Sequence, residues 1–266
     1  MDAFDFTQIA PHQGALSVLF GALIGLLLGL VGGGGSILTV PILVYVIGLT
    51  VQAATATSLA IVGASALAGA LPHARAGRVN LRVALFFGAF GIAGAFAGTW
   101  LNARVSGPVI LLLFGLLMLI VAGRMWRRKP LPAPPQEEER IGWKVPLAGL
   151  TVGLLTGFFG VGGGFLIVPA LALALGMPMA AAVGTSLVII AINSASGLAA
   201  HLGTGGFNAP VALLFIAGGL IGGVLGGRLA GRVDERLLAR AFSVLVAGVG
   251  LYLLLRNGAL LLTSLG

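Results

Sequence analysis

The chain repeats itself. Residues Gly25 to Val105 match Gly153 to Val233 without a gap at a constant offset of 128 positions, and roughly two-fifths of the aligned residues are identical. Whatever one half folds into, the other must fold into as well. The repeated unit is a string of apolar runs: of 266 residues, 58% are hydrophobic and 8% charged, where an ordinary soluble domain carries about 25% charged residues. Runs near 20 residues, as helices rising about 1.5 Å per residue, cross a hydrocarbon core of about 30 Å. A closed barrel would need segments of about ten residues alternating apolar and polar, and these runs do not alternate. The expected fold class is therefore an all-α polytopic membrane protein.

Each half holds the same series: an apolar run, a glycine cluster, a second short run and three longer runs. The longer runs lie near 52–71, 82–101 and 107–126, with partners near 180–200, 210–230 and 236–256. The runs flanking the clusters, about 16–31 with 36–48 and 145–159 with 164–176, read as too short to span, so each half is expected to hold a glycine-broken pair of short helices plus three transmembrane helices. Residues 1–126 form the first membrane repeat and 145–266 the second. Between them, RRKPLPAPPQEEERIGWK at 127–144 is too rich in Pro and charge to be a membrane helix and reads as a linker. The polar start, Met1 to Gly14, lacks the basic character of a cleavable signal peptide, so the first apolar run is expected to belong to the fold.

Charge placement sets the orientation. If each glycine-split pair counts as an even number of crossings, the loop 72–82, the segment 124–144 and the loop 228–240 share one side and hold thirteen of the fifteen Lys and Arg. Counting each pair as one broken span weakens the split to ten against five. The positive-inside rule thus predicts inverted repeats, a cytoplasmic linker and periplasmic termini. The net charge of +8 reads as this topology signal rather than as a nucleic-acid surface. Arg75, Arg78 and Arg82 need no explanation beyond it.

The glycine clusters, Gly32 to Gly35 and Gly162 to Gly164, carry the strongest local signal. Backbone broken at membrane depth survives only where protein or a wet cavity satisfies it. A glycine break also exposes N–H groups at the positive start of the next helix, where an anion can be held without a formal charge. With inverted halves, two such beginnings converge, as in many secondary transporters. Gly33, Gly34, Gly35 and Ser36 in the first half, and Gly162, Gly163 and Gly164 in the second, are the candidate binding residues. Close helix packing is the competing reading.

Symmetry-related hydroxyls extend the candidate site: Thr57 and Ser58, with Thr185 and Ser186. Each could instead bond a carbonyl one turn back in its own helix. Asn193 and Ser194 add donors in the second half only, because Asn193 has Ser65 as its counterpart. His73 and His201, at the end of the third run, are candidates for gating, with a histidine satisfied at the membrane boundary by water or backbone as the plainer alternative. Asn80 and Asn208 are expected to cap the following helices.

Absences narrow the chemistry. All seven acids lie in termini or loops, so no carboxylate stands at mid-membrane to bind cations or relay protons. No cysteine is present, and three His without nearby carboxylates make no recognisable metal set. No nucleophile, base and orienter combine at membrane depth, so an enzyme is not expected. The glycine cluster runs into Ser36-Ile37 and lacks the Lys of a nucleotide-binding loop. No cofactor is implied.

The duplicated G-x-GGG-x-x-x-V-P pattern at Gly32 to Pro41 and Gly160 to Pro169, followed by A-x-x-T-S-L at Ala54 to Leu59 and Ala182 to Leu187, resembles the sulfite exporter family TauE/SafE over nearly the whole chain. The first cluster departs slightly, reading GGGGS where the second reads GVGGG. The resemblance implies a bacterial inner-membrane permease that exports sulfite, sulfoacetate or a related organosulfonate. The expected function is secondary transport of a small oxyanion by alternating access, with a passive anion channel as the alternative. The lipid bilayer and the anion are the expected partners, nucleic acid is not, and the oligomeric state stays open, a homodimer included.

Overall fold

A computed structural model describes residues 11–102, 104–105, 107–127, 142–159, 164–201 and 207–265. Among these the chain is all helical, with no strand. The first half gives α1 (Pro11–Val31), α2 (Gly34–Tyr45), α3 (Val51–Arg75), α4 (Leu81–Asn102) and α5 (Gly107–Trp126). The second gives α6 (Lys144–Phe159), α7 (Gly164–Pro169), α8 (Met179–His201), α9 (Ala209–Ala230) and α10 (Glu235–Leu265). Seven of these, α1, α3, α4, α5, α8, α9 and α10, are long and apolar enough to cross a membrane.

The three long helices of each half fall where the apolar runs predict. The first run is longer than expected. It starts at Pro11, and its Gly14–Val31 stretch has the length and composition of a span, whereas α6, its counterpart, has 16 residues. Only the second half thus keeps two short helices, and the expected pair of short helices in the first half is corrected. The break after α1 lies at Gly32, whose φ of +81° is open to glycine at no steric penalty. From there α2 doubles back: a Cβ on Gly35 would lie 2.5 Å from the Ile24 carbonyl oxygen and 2.8 Å from Leu28 Cγ on α1.

The ends of α2 and α7 match in detail. Both carry an internal proline, Pro41 and Pro169. After Pro169, α7 continues as a π-helical turn over Ala170–Ala174. Beyond each proline the bonds widen to the residue five back, Ile47 N–H to Ile42 O at 3.1 Å and Leu175 N–H to Ala170 O at 3.2 Å. Each then stops at a left-handed glycine, Gly48 or Gly176. Asn80 and Asn208 do cap α4 and α9, their side-chain oxygens each accepting at 3.0 Å from the N–H three residues on.

The halves interlock. α1 packs along α9 of the second half, with Gly21, Gly25 and Gly29 meeting the backbone of Phe215, Gly219 and Gly223 in turn, so the two helices run parallel. In the equivalent arrangement Gly149, Gly153 and Gly157 of α6 meet Phe87, Gly91 and Ala95 of α4. Glycine at every fourth position strips side chains from both faces and lets backbones touch, which replaces the hydrophobic drive that lipid cannot supply. The sequence-equivalent pair α3 and α8 cross in opposite directions, Leu59 lying beside Gly197, Gly63 beside Ser194 and His73 beside Gly184. α5 and α10 also run antiparallel, Met118 lying against Gly250 while Arg240 sits 5.5 Å from the Trp126 ring.

Candidate functional site

The two glycine breaks meet. A Cβ on Gly33 would collide with the Gly164 carbonyl, and one on Gly164 would lie 2.7 Å from Ser36 Oγ and 3.2 Å from Ile190 Cδ1. The beginnings of α2 and α7 therefore abut, as their sequence suggests. Gly162 and Gly163 lie outside the described residues. The other glycines serve packing: Gly35 presses on α1, and a Cβ on Gly34 would lie 3.3 Å from Leu245 Cδ2 of α10.

Beside this junction lies a cavity of about 420 Å³ between α4, α6 and α8. Its inner wall is made by Gly164, Ile167 and Ile190, with Asn193 and Ser194 as its polar groups at that depth. Phe87, Phe96, Trp100 and Val152 make the apolar walls, while Thr99, Thr156 and Ser196 add hydroxyls. No acidic or basic side chain lines it among the described residues. The lining follows α4 from Phe87 to Trp100, towards the end of the bundle opposite Lys144 and Trp126, the described helix ends nearest the linker. At that outer end the Arg104 guanidinium lies 3.2 Å over the Trp100 ring and donates to the Trp100 carbonyl at 3.0 Å. A cation thus stacks on a wall residue at the outer end of the cavity.

Asn193 is the candidate that reaches this space with hydrogen-bonding capacity to spare, because its buried Oδ1 has no partner. An unpartnered buried carboxamide oxygen is an acceptor open to water or to a ligand's N–H or O–H, while the NH2 of the same group is the part that can donate. Ser194, expected beside it, also lines the cavity.

The remaining candidates do not line this cavity, and most have backbone partners. Ser36 donates to Gly33 O at 2.7 Å, Ser58 to Thr55 O and Ser186 to Val183 O, each at 2.8 Å. Thr57 and Thr185 are fully buried. Thr57 Oγ1 accepts from the Asn208 N–H, and Thr185 Oγ1 from the Asn80 N–H, both at 3.1 Å. Each threonine thus fastens the cap of a helix from the other half, while its own proton stays available to donate.

His73 does not sit at a wet boundary. It lies in the last turn of α3, fully buried, with Nε2 donating to Gly29 O at 3.0 Å, which leaves Nδ1 as a buried acceptor without a partner. The carbonyl fixes the tautomer, because only a protonated nitrogen can donate to it. The side chain of His201 lies outside the described residues.

Among the described residues, a helical bundle of seven candidate spans, holding a cavity with a polar floor between its halves, defines a multi-pass membrane protein. The chain belongs to the sulfite exporter TauE/SafE family, whose profile matches residues 17–253. It is similar to a "Probable membrane transporter protein" of Xylella fastidiosa (strain 9a5c), 40% identical over 249 residues covering 90% of this chain and 94% of that one. A "Probable membrane transporter protein" of Methanocaldococcus jannaschii is 28% identical over 205 residues, 75% of this chain and 74% of its own. YunE of Bacillus subtilis, named likewise, is 28% identical over 225 residues, 76% and 82% of the two chains. No solved structure matches.

Proposed function

We propose that this transporter exports a small oxyanion, sulfite or an organosulfonate such as sulfoacetate, across the bacterial inner membrane by alternating access. The observation that carries this is the cavity. Its inner end joins Asn193 and Ser194 to the start of α7 at Gly164, and no carboxylate lines it among the described residues. The Asn193 NH2 and the Ser194 hydroxyl are neutral donors that suit an anion that must be released again, and the lack of acids in the described lining disfavours a cation. Arg104 at the rim biases the local ion population towards anions. Thr57 and Thr185 act as positioning groups that hold the caps of the opposite half.

The two repeats lie in opposite orientations in the membrane, with the linker cytoplasmic and both termini periplasmic. The antiparallel course of α3 and α8, which are sequence equivalents, supports this, as does the bias of basic residues. The cavity then faces the periplasm. An anion leaving a negative interior moves down the electrical gradient at about 2.3 kcal/mol per charge per 100 mV, so export needs no coupled ion. Carrier rather than channel is favoured by the backbone contacts along α3 and α9, which close that seam on the far side of the junction.

Counterflow in proteoliposomes, with sulfite, sulfate, thiosulfate, sulfoacetate and taurine compared, tests the cargo. Saturable exchange of sulfite or sulfoacetate is expected. Exchange of taurine alone, which has no net charge, or of none of the five, rejects the proposal.

A further inference from the structure

We infer that the cavity has a closed twin on the opposite face of the bundle: a second anion vestibule along the seam between α3 and α9, shut in this conformation. This rests on the alternating-access reading above. At the offset of 128 residues, the α4/α8 seam and the α9/α3 seam are built from equivalent positions. They are not in the same state.

Along α3/α9 the backbones touch. A Cβ on Gly219 would collide with Ser65 Oγ, one on Gly223 would lie 2.7 Å from Ser65 O, and one on Gly227 would lie 2.6 Å from Gly69 O. The equivalent positions on α4 are Gly91, Ala95 and Thr99. There α8 stands away: a Cβ on Gly91 would meet only Gly149 O of α6, at 3.6 Å, and all three residues line the cavity.

Two polar features mark the shut seam as a site in its closed state rather than permanent packing. Ser65, the counterpart of Asn193, is fully buried, and its Oγ has no partner although it points straight at Gly219. A seam that never opened would gain by losing that hydroxyl. The rims also correspond. Arg104 and Arg232 are equivalent and identical. Each ends its helix in the same turn, Arg104 N–H donating to Leu101 O at 3.0 Å and Arg232 N–H to Leu229 O at 2.8 Å. Arg104 sits at the mouth of the open cavity, and Arg232 follows the end of α9 where the shut seam would open. Each vestibule then pairs a guanidinium at its mouth with neutral groups inside, suited to the same small oxyanion.

The equivalence also specifies the contact that closes the present cavity. Ala68 Cβ lies 3.3 Å from where a Cβ on Gly223 would stand. Their counterparts, Ser196 and Ala95, face the cavity. Movement of α8 onto α4 brings Ser196 against Ala95, near the Cβ separation a disulfide spans, while α3 leaves α9 and Ser65 becomes wet.

The chain has no cysteine, so introduced thiols report alone. In proteoliposomes, the A95C/S196C variant should form a disulfide under mild oxidation, and transport should fall at least tenfold and return on reduction. Oxidation should leave the flux of each single variant where it was, and reduction should return the double variant to its own unoxidised rate. In parallel, S65C should label with an impermeant thiol reagent only from the linker side, and faster during turnover. Absence of cross-linking in a reduced variant that transports overturns the inference, as does wild-type flux in the cross-linked protein. If the double variant does not fold, S65C that stays unlabelled during turnover overturns it. Cross-linking and labelling need no particular cargo: a pair that locks in a protein carrying no oxyanion overturns the cargo reading alone.

Discussion

Replacing Gly25 by alanine tests the glycine interlock between the halves. The new methyl carbon would overlap the Gly219 carbonyl oxygen and lie 2.8 Å from the Gly223 nitrogen and 2.9 Å from the Gly219 carbonyl carbon. All three neighbours are backbone, so no side chain can turn aside, and α1 must back away from α9 along its length. Overpacking of this kind costs about 1–3 kcal/mol. At about 2–4 °C per kcal/mol for a chain of this size, Tm should fall by several degrees. Gly153→Ala, its counterpart, collides with the Gly91 carbonyl and should lose as much. Gly248→Ala is the control: a Cβ there meets nothing within 4 Å, and the substitution gains up to about 1 kcal/mol of helix propensity. Thermal unfolding in detergent can be followed by tryptophan fluorescence. Wild-type melting of both G25A and G153A would refute the reasoning, because contact between backbones leaves no room for a methyl group.

Thr57→Val and Thr185→Val each leave a cap N–H without its acceptor, so each should lose about 1–3 kcal/mol of stability, read as a lower Tm; unchanged melting would mean the hydroxyl is not the cap's partner. Asn193→Leu fills the polar floor with hydrocarbon and should raise the KM for anion counterflow at least tenfold with Tm within a few degrees of wild type. Arg104→Gln should slow uptake of anion into the cavity most at low ionic strength, with the difference shrinking as salt screens it; a salt-independent loss would point to a structural role. His73→Phe removes the donor to Gly29 O, and anion exchange should fall together with Tm, whereas an unchanged Tm would separate His73 from the α1 break.

Much of this architecture is legible in the residues. The long apolar runs mark helices because nothing else satisfies the backbone in lipid, and Asn80 and Asn208 announce caps by chemistry and place. The break at Gly32 is written in consecutive glycines, although its neighbour Gly33 keeps an ordinary helical φ of −57°. The true length of α1 is harder to read, because its first turns, from Pro11, include polar residues that do not look like span. The glycine ribs were readable as a four-residue spacing, but not their partners, which belong to the other half. The same holds for Thr57 and Thr185, whose bonds reach residues 151 and 105 positions away. Trp100, Thr156 and Ser196 carry no sequence signal of a cavity, since isolated polar and aromatic residues are common in spans; only the standing-off of α8 from α4 makes them lining.

The most direct test of the cavity as the anion's path uses a single thiol. With S196C as the sole cysteine, an impermeant reagent added on the side away from the linker should label the protein. Transported oxyanion should slow that labelling, half-maximally at the concentration that half-saturates counterflow. Unaltered labelling at saturating anion, with normal flux, would mean that the cargo crosses elsewhere.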